Sequence, residues 1–148
     1  MRILVVSADP AERLRASSGL IAGTEDVVEC DGVDEARRSV LGRGDGPFDV
    51  LVVDGDLMPR GGYAFLYELR SHADLTGWTA PPSVVLASRA SDRWLAGWAG
   101  ASELFLKPVD PFEVAATVRA LPGSPLPPYG DAGAAQAQVG TALRRSGR

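Results

Sequence analysis

The chain has 148 residues, 45% hydrophobic and 23% charged, which suits one domain with a core of ordinary size and excludes both wholesale disorder and a membrane bundle. A net charge of −4 and a pI near 4.9 give no electrostatic footing for nucleic acid, and none is expected as a partner. A single cysteine (Cys30) and a single histidine (His72) cannot build a disulfide or a Cys/His zinc site, while the absence of any apolar run near the roughly 20 residues of a bilayer span predicts a cytoplasmic chain with no membrane partner.

In chain order, Ile3, Leu4, Val5 and Val6 form a continuous apolar run. Such runs, rich in β-branched residues and lacking polar alternation, read as strands buried on both faces. Asp9, Pro10 and Glu12 then supply an N-cap acid, a first-turn proline and a capping-box glutamate, with Leu14 and Ile21 continuing one apolar helical face. Residues 27–30 (Val-Val-Glu-Cys) alternate more and read as an edge strand, and Cys30 as a small buried hydrophobe. Ala36, Val40 and Leu41 mark a second helix, followed by the buried-type strand Val50, Leu51, Val52, Val53. Phe65, Leu66 and Leu69 mark a third helix, Val84, Val85 and Leu86 a fourth strand, and Trp94, Leu95, Trp98 and Ala99 a fourth helix. The two tryptophans share a stripe that suits either core packing or a docking surface. Leu104, Phe105 and Leu106 form the last strand, and Asp110, Pro111 and Glu113 repeat the first helix's start signal ahead of Val114, Val118 and Leu121.

Five βα units predict an α/β fold, a doubly wound five-stranded parallel sheet between two helical layers. The flavodoxin-like strand order 2-1-3-4-5 fits this length, with its crevice at the carboxyl ends of strands one and three. The domain is expected over residues 1–121. Residues 122–148 are rich in Pro, Gly and Ala, nearly devoid of large apolar side chains, and expected to be a disordered tail.

Parallel strands bring the residues just past each run to one edge. Those residues are Ser7, Ala8 and Asp9, then Asp54 to Asp56, Ala87 and Ser88, and Lys107 with Pro108. An acid at one strand end with a lysine two strands away suits a phosphoryl acceptor with a charge-neutralising cation, and it equally suits a structural ion pair.

The first strand with an acidic position and Pro10 beyond it, the segment Phe48-Asp49-Val50-Leu51-Val52-Val53-Asp54 with Met58-Pro59 and Gly61-Gly62 beyond, and Leu106-Lys107-Pro108 together resemble a response-regulator receiver domain over residues 1–121. The resemblance implies a stand-alone signalling domain of a two-component phosphorelay. Asp54 would be its phosphoacceptor and Lys107 its phosphate-neutralising cation, followed by a cis proline at Pro108. It implies a protein partner, either a sensor kinase or a downstream regulator, and a docking or homodimer face built by the fourth helix, fifth strand and fifth helix.

Several positions depart from the family pattern. Its acidic pair falls on Ser7 and Ala8, neither able to supply a carboxylate, so Asp9, Asp54 and Asp56 are the remaining metal candidates and magnesium binding is expected to be weak. No cofactor is expected to be required. The switch hydroxyl falls on Ala87, with Ser88 one place late, and the switch aromatic on Leu104, with Phe105 pointing to the opposite face. Contact rather than turnover is thus the expected mode, with no enzyme activity and a degenerate site. The alternatives are a phosphorylatable response regulator using Asp54 with magnesium and, in another class, a flavodoxin-like small-molecule binder.

Overall fold

A computed structural model describes residues 1–42 and 47–122. Strands and helices alternate along these residues as β1 (Arg2–Val6), α1 (Pro10–Ile21), β2 (Asp26–Cys30), α2 (Val33–Leu41), β3 (Val50–Asp54), α3 (Gly61–Thr76), β4 (Ser83–Ala87), α4 (Arg93–Trp98), β5 (Glu103–Leu106) and α5 (Pro111–Ala120). A 3-10 turn at Ala90–Asp92 leads into α4. The sheet is fully parallel in the order β2-β1-β3-β4-β5, the flavodoxin-like order expected from the sequence. The tail falls outside the described residues except for Pro122.

Alternation along the strands sends side chains to two separate cores. Ile3, Val5, Val50, Val52 and Phe105 bury against α1 and α5, through Leu20, Val114 and Val118. Leu4, Val6, Leu51, Val53 and Leu104 bury on the other face against Phe65, Leu66 and Leu69 of α3 and the small residues Ala96 and Ala99 at α4. Leu104 and Phe105 therefore do face opposite ways. Cys30 is buried, with its sulfur 3.8 Å from Ser39 Oγ.

Two expectations are corrected. Leu14 and Ile21 lie on the solvent side of α1, 63% and 55% exposed. The buried face is the one carrying Ala16, Gly19 and Leu20, because α1 packs closely on α5 as well as on the sheet. A Cβ at Gly19 would stand 2.5 Å from the Pro111 carbonyl oxygen, closer than nonbonded atoms approach, so the helix turns its smallest residues toward α5. The capping box at α1 is also only half formed. Asp9 accepts from the Ala11 N–H at 2.9 Å, but its own N–H donates to Ser7 Oγ at 3.3 Å rather than to Glu12. Asp110 caps α5 in the same way, accepting from the Phe112 N–H. Trp94 and Trp98 are exposed rather than core, since the short α4 turns Ala96 and Gly97 to the sheet. Trp98 stacks on Tyr67 of α3 with ring centroids 4.3 Å apart. No helix among the described residues is long and apolar enough to cross a membrane.

Candidate functional site

Register brings the strand ends together. Val6 pairs with Val53, Asp54 with Leu86, and Ala87 with Leu106, so Ser7, Asp54, Ser88 and Lys107 stand in a row along the carboxyl edge. The Lys107 N–H extends the β4–β5 ladder one step by donating to the Ala87 carbonyl, and the Lys107–Pro108 peptide is cis, as is Met58–Pro59. Gly62 allows α3 to begin directly beside the end of β3. A Cβ there would lie 2.2 Å from the Asp54 carbonyl oxygen, which explains in packing terms why a glycine stands eight residues after the aspartate.

Asp54 is 4% exposed, and each of its carboxylate oxygens has a donor. Oδ1 accepts from Lys107 Nζ at 2.6 Å and from the Asp56 N–H at 2.9 Å. Oδ2 accepts from Ser7 Oγ at 2.8 Å. Lys107 also reaches Asp56 Oδ2 at 3.0 Å, and the Ser88 hydroxyl donates to that same oxygen. One ammonium thus bridges two carboxylates, with a serine hydroxyl on each. Burial works against the charge on Asp56, but the Ser88 hydroxyl and the Lys107 ammonium outweigh it and hold the carboxyl below its ordinary range. Burial likewise disfavours the Lys107 charge, and the hydrogen bonds it donates to Asp54 and Asp56 more than restore it, so the ammonium loses its proton less readily than an ordinary lysine.

The structure thus gathers Asp54, Asp56 and Lys107 at the edge expected from the sequence, with the Ser7 and Ser88 hydroxyls on the two carboxylates. Asp9 is engaged as the cap of α1, and among the described residues no three His, Cys, Asp or Glu side chains lie close enough to share a metal ion. Ala87 is fully buried among the apolar side chains on the α3 face, and Leu104 on the same face. Sequence reasoning treated Ser7 only as a missing carboxylate. Its hydroxyl instead donates to Asp54, and its carbonyl accepts from Arg13 at 2.6 Å. Sequence reasoning also passed over Tyr63. This buried tyrosine lies against Gly55, and its hydroxyl has no hydrogen-bond partner among the described residues. The aromatic nine residues after Asp54 was visible, but only the fold turns it back under the loop.

No protein-family model matches the chain. An uncharacterized response regulatory protein of Mycobacterium tuberculosis, in two strains, is 34% identical over 80 residues, which is 54% of this chain and 57% of the relative. The chain thus spans little more than half the length of these curated relatives. Among solved structures, the chemotaxis response regulator CheY4 of Vibrio cholerae superposes with a TM-score of 0.67 at 21% identity, over 81% of this chain and 97% of that one. The BeF3-activated DrrB receiver domain superposes with a TM-score of 0.66 at 20% identity, over 81% and 95%. The chain therefore shares the fold of receiver domains, and the resemblance drawn from its sequence stands.

Proposed function

We propose that the chain is a receiver-type signalling module that works by protein contact, with an acid pocket held closed by its own side chains. The observation that carries this reading is Ser7 Oγ on Asp54 Oδ2 at 2.8 Å, where the family pattern expects carboxylates. Magnesium needs hard oxygen ligands with one or two free carboxylates. Ser7 and Ala8 bring none, and Asp54 already accepts from Lys107, Ser7 and the Asp56 N–H, so the donor set does not suit the ion. A phosphoryl group on Asp54 would add about two negative charges, against which Lys107 offers one positive charge. Ala87, with no hydroxyl, would have nothing to donate to it.

The contact face that fits is α4–β5–α5, where Trp94, Trp98, Leu106 and Phe112 are all exposed, Phe112 to 78%. Exposed aromatic side chains at this density mark protein-binding surfaces. A sensor kinase, a downstream regulator or a second copy of the chain would dock there, and cross-links mapping instead to α1 and α2 would overturn that assignment.

A second reading is favoured by the intact Asp54–Lys107 pair, which would suit an acceptor that is phosphorylated in the ordinary way. Magnesium titration followed by amide NMR, with acetyl phosphate as donor, decides between the two. The closed-pocket reading expects little magnesium binding and little labelling in the native chain, and a gain in magnesium affinity when Ser7 and Ala8 are both replaced by Asp. Native affinity equal to that of the double variant, or ready labelling at Asp54, establishes the second reading instead.

A further inference from the structure

Asp54 and Asp56 sit on the β3–α3 loop, whereas the aromatic contact face begins on α4. The ordinary route between them, a hydroxyl at the end of β4, is closed because Ala87 occupies that place and is fully buried among apolar side chains. One residue later the chain turns outward, and the Ser88 hydroxyl donates to Asp56 Oδ2, the same oxygen that accepts from Lys107 Nζ at 3.0 Å. The Tyr63 ring lies against Gly55, and burial, followed by the negative charge of Asp92 and Asp56, pushes its phenol upward in pKa. Asp92 is itself buried at the N-terminal end of that helix, paired with Arg89 at 3.4 Å.

We propose that Ser88 is a positioning residue of the acid pocket, which holds Asp56 against Lys107 and thereby ties the pocket's occupancy to the placement of α4 and its tryptophans. Lys107 has one ammonium for two carboxylates. Any anionic group that arrives at Asp54 competes for it, so Asp56 loses its cation and Ser88 remains the donor that keeps Asp56 in line. With Ser88 removed, Asp56 Oδ2 keeps Lys107 as its one side-chain donor among the described residues, and the 88–92 segment loses its hydroxyl tie to the β3–α3 loop. The proposal rests on the reading of Asp54 and Lys107 as a signalling pocket, but its test uses neither a phosphodonor nor a partner protein, so each can fail without the other.

The test is NMR on the full chain, following the Lys107 side-chain ammonium and the amides of residues 88–98, with Ser88→Ala and Ser88→Thr variants. Ser88→Ala is expected to shift the Lys107 resonance and to raise exchange of the α4 amides about three- to fivefold, the net worth of one ordinary hydrogen bond. Ser88→Thr, which keeps the hydroxyl, is expected to restore both. A loop that is merely loosened would move the α4 amides and leave Lys107 unchanged, and that result, like no change in either, overturns the proposal.

Discussion

Lys107 is held between Asp54 and Asp56 with its side chain 15% exposed, and removing it leaves Asp54, among the described residues, as a buried carboxylate served by a hydroxyl and an N–H. Breaking a buried pair from one side costs about 3–5 kcal/mol, and the partial exposure of Asp56 lowers this, so Lys107→Met should lose about 2–3 kcal/mol in urea unfolding. Adding Asp54→Asn to that variant should recover most of the loss, because the uncompensated charge goes with it. The same site sets a pH dependence. Asp56 has a folded pKa below its ordinary 3.8, so its stabilisation is complete above that value and lost as pH falls through the lowered one. Lys107 has a folded pKa above its ordinary 10.5, so its stabilisation is complete below that value and lost as pH rises through the raised one. The stability difference between the native chain and Lys107→Met should therefore be flat across neutral pH and shrink at both extremes, as urea midpoints against pH would show. At this scale the acid and the lysine were legible in the sequence, since both follow buried runs. The hydroxyls on them were not, because Ser7 and Ser88 reach Asp54 and Asp56 from positions distant in sequence.

Among the elements, strands were easier to read than helix faces. The inner strands β1, β3 and β4 bury nearly every residue, so composition alone marks them, whereas a helix exposes one side and the choice depends on what packs against it. In α1 the spacing of Leu14 and Ile21 suggested an inward face, but proximity to α5 selected Ala16, Gly19 and Leu20 instead. Packing and propensity make opposite forecasts at Gly19. Alanine favours a helix interior by about 1 kcal/mol over glycine, yet the new methyl would meet the Pro111 carbonyl at 2.5 Å and force α1 and α5 apart. Gly19→Ala should thus destabilise the protein, by about 1–2 kcal/mol net of the propensity gain. A rise in melting temperature would show that the helices yield freely. For α4, the mixed signal of Trp94 and Trp98 arose because the helix has only six residues, too few to display a period.

For the whole molecule, two apolar cores share one sheet, and among the described residues Leu121 is the last to join them, closing the α1–α5 side. Deleting residues 124–148 should accordingly leave the melting temperature within a few degrees, since about 1 kcal/mol moves it by only that much at this size. A larger fall would place part of the tail on the core. The order of elements and the carboxyl edge were legible because alternation of runs and helices leaves few topologies. The closure of the pocket was not, because it depends on register. Lys107 is also the chain's only lysine, so apart from the α-amine a reagent specific for primary amines has one place to react. Held protonated and largely covered while it bridges the two aspartates, it should resist acylation, and it should label when something draws it away. The chain thus carries its own chemical footprint of pocket opening, readable by mass spectrometry in a mixture where the binding partner is still unknown.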